Sequence, residues 1–124
     1  DVPGAPAPNH GAAPAAAQYG CCAAVTGETD WVSDGKQSFP LRGGSVLLTK
    51  VTATGCMTSA LIGAFLAAMP DKAALSAACG IQMMNRAGEY AAKVSSGKLG
   101  SFHTALFDAV SMAGMQPEEG VLLL

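Results

Sequence analysis

The chain has 124 residues and a formal net charge of −2; half of it is apolar, 13% is charged and 6% is aromatic. Such a composition can bury a core of small side chains, which excludes a disordered tail. The scattered basic residues exclude a nucleic-acid footprint or a polybasic membrane patch. The longest apolar run, Ala60 to Met69, falls well short of the ~20 residues that span a bilayer. The expectation is a protein with neither nucleic acid nor membrane as partner. Asp1 opens the chain and the bare apolar run Gly120-Val121-Leu122-Leu123-Leu124 closes it, so it reads as a piece cut at both ends. Cys21, Cys22, Cys56 and Cys79 form no CxxC or histidine-paired spacing, which argues against zinc and against a disulfide scaffold and points to a reducing cytoplasm.

Residues 1–9, rich in proline, glycine and alanine, read as a loop or linker. The stretch 10–20 predicts a short alanine-rich helix stopped by Gly20. The run Cys21 to Gly27 predicts a strand apolar on both faces, as in a buried parallel sheet. A polar hairpin follows, turning at Asp34-Gly35, with Pro40 placing its second strand at an edge. Gly43-Gly44 breaks the pattern, and Ser45 to Val51 leads, as a strand, into a turn and a helix running from about Thr54 to Pro70. A second helix is expected from an Asp71 cap to about Val94, with Ala74, Leu75, Ala78, Ile81, Met84 and Ala87 as its buried stripe. A third is expected from a Ser101 cap to Gly114 and Pro117, leaving 117–124 as a tail. The whole is expected to be one partial domain, the closing section of an α/β layered fold.

The stretch Val51-Thr52-Ala53-Thr54-Gly55-Cys56-Met57-Thr58-Ser59 concentrates the chemistry. Small residues ahead of a long apolar helix leave its first N–H groups free to approach an anion, and the helix dipole favours negative charge there. A helix N-terminus also lowers the pKa of a thiol, which makes Cys56 a candidate base or nucleophile. The bland alternative is a tight turn into a core helix with a buried cysteine. No GxxxxGK[ST] or GxGxxG loop occurs, so the P-loop and Rossmann classes are unsupported.

Thr52-Ala53-Thr54-Gly55-Cys56 with MTSALIGAFLA behind it resembles the anion-hole segment of the hydroxyethylthiazole kinases. Val25-Thr26-Gly27-Glu28-Thr29-Asp30 and Gly100-Ser101-Phe102 resemble two further segments of that family, in the same order. The resemblance implies the carboxy-terminal part of a ribokinase-like three-layer α-β-α domain, incomplete as it stands. It implies ATP-dependent phosphorylation of the hydroxyl of 4-methyl-5-(2-hydroxyethyl)thiazole in thiamine biosynthesis or salvage, with Mg²⁺ as cofactor. On this reading Thr26 contacts ATP, Ala53 contacts the thiazole alcohol through its backbone, Thr54, Gly55 and Cys56 form the anion hole, and Cys56 is the catalytic base. Two departures stand out: Ala53, where the family often has glycine, and Gly97-Lys98-Leu99-Gly100, where it usually has a compact GPG.

Family members are roughly twice as long and resemble trimers with active sites between subunits. The acidic Mg²⁺ ligands and an ATP-binding arginine belong to their amino-terminal half. A hydroxymethylpyrimidine-type kinase of the same fold and an inactive structural piece are the alternatives. Among the remaining residues, Cys21, Cys22, Cys79, Met83 and Met84 read as packing, and His10 and His103 as surface residues. Trp31 reads as hairpin packing with adenine stacking as the minor option, and Glu28 and Asp30 as solvated carboxylates that could aid Mg²⁺–ATP.

Overall fold

The computed structural model describes residues 11–115; the expected linker at 1–9, His10 and the expected tail at 117–124 lie outside them. Helix α1 (Ala12–Tyr19) forms from the alanine-rich run and ends at Gly20, whose φ of 62° lets its amide return to the Ala16 carbonyl. Strands β1 (Ala23–Val25), β2 (Asp30–Ser33) and β3 (Ser38–Leu41) make one sheet in that order. Both pairings are antiparallel, with Ala24 opposite Val32 and Val32 opposite Phe39.

The predicted buried parallel strand is therefore corrected. Only residues 26–29 separate β1 from β2, too few for the crossover that a parallel pair requires. The hairpin at Asp34-Gly35 is as expected. Asp34 Oδ1 accepts the amides of Lys36 at 2.8 Å and Gln37 at 2.7 Å, and these donors hold the Asp34 carboxyl below the usual carboxylate value. Pro40 sits on the edge strand β3, opposite Trp31.

The segment expected as a strand before the long helix is instead a 3₁₀ turn, Val46–Thr49, with Ser45 Oγ accepting the Leu47 amide. Gly43 and Gly44, at φ 127° and 89°, turn the chain away from the sheet before a further strand could pair. Helix α2 (Thr54–Ala68), α3 (Ala73–Ser95) and α4 (Leu99–Met115) complete the fold. Two predicted caps are corrected. The residue before α3 is Lys72, not Asp71, and no side chain caps it. Ser101 lies inside α4, because a tight turn from the Lys98 amide to the Ser95 carbonyl starts that helix earlier. At its other end α4 is described to Met115, one residue past Gly114, and Pro117 lies outside the described residues.

The main core joins Met84, Ala87 and Ala91 of α3 to Phe102, Leu106 and Ala109 of α4, and a second cluster joins Val32 of β2 to Ala77 and Ile81. The stripe on α3 is thus close to the predicted one, except that Leu75 is exposed. Phe102, from the Gly-Ser-Phe segment, is fully buried, a burial that contributes about 2–3 kcal/mol. Helix α2 differs from its neighbours: it is apolar nearly all round, yet none of its residues is buried. An apolar face of that kind seeks a partner. Sedimentation of the isolated 124-residue chain is accordingly expected to show concentration-dependent self-association, and a monomer across the accessible concentration range would contradict this.

Candidate functional site

The long helix begins at an unusual residue. Ala53, just before α2, has φ 71°, a left-handed conformation that costs a Cβ-bearing residue roughly 1–2 kcal/mol. Its side chain caps nothing, and its carbonyl takes the Met57 amide at 2.9 Å. The amides of Thr54, Gly55 and Cys56 consequently have no hydrogen-bond partner among the described residues. They are the orphan donors of the first turn. The Thr54 hydroxyl stays out of the way, donating to the Leu48 carbonyl at 3.0 Å, and Thr58 Oγ1 donates to the Thr54 carbonyl.

This helix start forms one wall of a cleft of about 970 Å³. The opposite rim is the turn after β1, with Thr26, Gly27 and Glu28; the Gly43-Gly44 strap forms a third side, and Ile62, Ile81 and Met84 supply an apolar floor. Thr26, Thr54 and Gly55, far apart in sequence, are thereby brought to one cavity. Ala53 and Cys56 do not line it. Cys56 is an exposed free thiol, and because Thr54, Gly55, Thr58 and Ile62 carry the cleft side of α2, helical periodicity puts residue 56 on another side.

The carboxylates differ from expectation. Asp30 is buried, and its Oδ1 accepts the Gly27 amide at 3.0 Å while its Oδ2 accepts Asn85 Nδ2 at 2.8 Å. It therefore shapes the turn rather than standing solvated at the cleft, whereas Glu28 is exposed on the rim. Among the described residues, no group of three or more His, Cys, Asp or Glu could hold a metal ion. No described helix is long and apolar enough to cross a membrane.

Sequence reasoning missed Asn85, Gly43, Gly44 and Glu89. Glu89 Oε1 accepts the Gly44 amide at 2.9 Å, and a Cβ on Gly43 would lie 2.8 Å from that same oxygen. The signal available was a polar pair, Asn85 and Glu89, one helical turn apart beside the predicted stripe. Trp31 and His103 do not line the cleft, and His103 stacks at a tilt on Phe107, 5.2 Å between ring centres. Burial pushes the Cys22 thiol up, with Asp34 and Cys21 adding to the effect, and burial alone pushes up Cys79; both stay protonated packing residues.

In an α/β fold, an uncapped helix start facing a mixed polar and apolar cleft is an arrangement that can hold the anionic group of a small molecule on backbone amides. Comparison with known proteins narrows it. Residues 5–115 match the hydroxyethylthiazole kinase family, and the chain belongs to that family. A hydroxyethylthiazole kinase of Clostridium botulinum (strain Eklund 17B / Type B) is 46% identical over 98 residues, covering 78% of this chain and 35% of that protein. One of Ruminiclostridium cellulolyticum is 44% identical over 100 residues, 78% of this chain and 36% of that protein. The solved structure of the hydroxyethylthiazole kinase protein of Pyrococcus horikoshii OT3 superposes with a TM-score of 0.77 at 36% identity, covering 82% of this chain and 39% of that one. The chain thus spans about a third of the length of the curated relatives it matches.

Proposed function

We propose that this stretch is the nucleotide-facing and phosphate-facing part of a kinase that transfers the γ-phosphoryl group of ATP to the primary alcohol of hydroxyethylthiazole. The observation that carries the reading is the trio of unpartnered amides at Thr54, Gly55 and Cys56, the first two of these residues lining the cleft that Thr26 also lines. Those amides would stabilise charge on the transferring phosphoryl oxygens, the main task of a protein in this reaction. The nucleotide would occupy the Thr26 cleft and the alcohol the Ala53–Cys56 side of the same turn. Approach from two sides suits in-line displacement, in which the attacking and leaving oxygens flank phosphorus. Cys56, as the base, would take the hydroxyl proton while the alcohol oxygen bonds to phosphorus and ADP departs.

Among the described residues, the Mg²⁺ that kinases of this kind use is not provided for. Asp30 is engaged by Gly27 and Asn85, and Glu28 alone on the rim does not make a site. The same reading carries a homotrimer in the cytoplasm, the assembly and compartment that the resemblance implies. Its test is a chimera in which this chain replaces the matching stretch of the Clostridium botulinum relative. Thiazole-dependent release of ADP is expected; a folded chimera without turnover would refute the assignment.

The role of Thr26 is separately checkable. Thr26→Val removes a hydroxyl from the cleft rim with little change of volume, so a non-hydrolysable ATP analogue should bind roughly 10- to 100-fold more weakly, the cost of one hydrogen bond to a charged group. Calorimetric titration measures it, and an unchanged dissociation constant would remove Thr26 from the nucleotide site.

A further inference from the structure

The cleft has two rims built from turns, and one helix holds both. The turn after β1 is anchored through Asp30, whose buried carboxylate accepts the Gly27 amide and Asn85 Nδ2. The glycine strap is anchored through Glu89, whose Oε1 accepts the Gly44 amide. Asn85 and Glu89 stand one turn apart on α3, and Asn85 is the residue that meets both rims. A carboxylate can only accept, so Asn85 must turn its NH₂ toward Asp30. Its Oδ1 then faces Gly44, close enough that a Cβ there would lie 2.8 Å from it. Asn85 is itself buried and lines the cleft.

The geometry points to Asn85 as a positioning residue that sets Thr26 and Gly27 for the nucleotide by fixing the Asp30 carboxylate; this rests on the reading of the cleft as the nucleotide site. Without the amide, Asp30 is a buried carboxylate missing a donor, and it must rotate or draw in water. Either response releases Gly27, the residue beside Thr26. A pair that served stability alone would change the melting temperature and leave the turn and its ligand affinity as they were.

The test uses the chimera that completes the domain, with Asn85→Asp, Asp30→Asn and the two combined. Asn85→Asp sets two carboxylates against each other. The combined variant restores an amide–carboxylate pair with the partners exchanged, and the amide at position 30 can still accept from Gly27. Amide hydrogen exchange at Gly27 is one readout, and calorimetric titration with adenylyl imidodiphosphate is the other. Asn85→Asp should accelerate Gly27 exchange and weaken the analogue, each about tenfold, as expected for a lost hydrogen bond to a charged group. The combined variant should recover both to within about threefold. Cys79→Ala, on the same helix and outside the cleft, should lower stability and move neither readout.

Unchanged Gly27 exchange in Asn85→Asp, or no recovery in the combined variant, overturns the inference. If Asn85→Asp does not fold, the combined variant decides: folded with a parent-like Gly27 supports the exchange of partners, unfolded overturns it. If the parent chimera binds no analogue, the nucleotide reading fails on that result, and Gly27 exchange alone decides whether Asn85 sets the turn.

Discussion

Cys56→Ala, made in a chimera that completes the domain, should lower kcat by roughly 10²–10⁴-fold, the usual range for loss of a general base. The size of the effect follows from what alanine keeps and what it removes. On the proposed reading the groups at the start of α2 that would accept the anion are backbone amides, with no side-chain cap to lose, and alanine retains the amide at position 56. The phosphoryl oxygens therefore keep their donors, and nucleotide affinity should stay within about twofold, a change within the normal scatter of surface substitutions. What disappears is the thiol, exposed beside the turn and outside the cleft that Thr26 lines. Cys56→Asp restores a base of similar volume and should keep or raise turnover. Cys79, buried on α3 with its thiol pushed up by burial, should yield only a loss of stability on Cys79→Ala. Single-turnover measurement separates the chemical step from binding. A near-normal kcat in Cys56→Ala would leave the exposed thiol without a catalytic role, while the three amides would still be open to an anion.

The parts of this site legible in the sequence were those decided locally. Small residues at Ala53 to Gly55 ahead of an apolar run marked a helix start with free amides, and the structure has them. Asp34-Gly35 marked the hairpin because an Asx turn and a positive φ are satisfied within four residues. What was not legible depends on residues distant in the chain. Asp30 read as a solvated carboxylate because its partner Asn85 lies on another element, and the clamp from Glu89 to Gly44 spans the same gap. Orientation failed for the opposite reason: β1 was apolar enough for a parallel sheet, but the short link to β2 forces the antiparallel pairing. The two mistaken caps show a third limit. Asp71 and Ser101 have the right chemistry for helix starts, yet Ser76 Oγ donates to the Lys72 carbonyl at 2.8 Å inside the first turn of α3, and Leu99 already begins α4.

The close approach of α2 to α3 makes a prediction in which one substitution changes sign with position. Gly80 of α3 faces Ile62 of α2, and a Cβ built there would lie 2.5 Å from Ile62 Cγ1, 2.7 Å from its backbone nitrogen and 2.8 Å from its Cα. A side-chain tip could rotate away, but backbone cannot, so the helices must separate. Overpacking of this kind costs about 3 kcal/mol at the upper end of its usual range. Alanine's better helix propensity returns about 1 kcal/mol, which leaves Gly80→Ala destabilised by about 2 kcal/mol. For a domain of this size that lowers the melting temperature by roughly 8 °C. Gly63 lies one residue beyond Ile62 on α2, where a Cβ would meet nothing within 4 Å. There only the propensity gain remains, so Gly63→Ala should stabilise by about 0.5–1 kcal/mol. Because Ile62 and Ile81 also line the cleft, separation of the helices at Gly80 should widen its floor and weaken the ATP analogue, an effect Gly63→Ala should lack. Thermal melts of the two variants beside the parent decide the matter: equal shifts of one sign would mean that α2 and α3 do not meet at Gly80 as described.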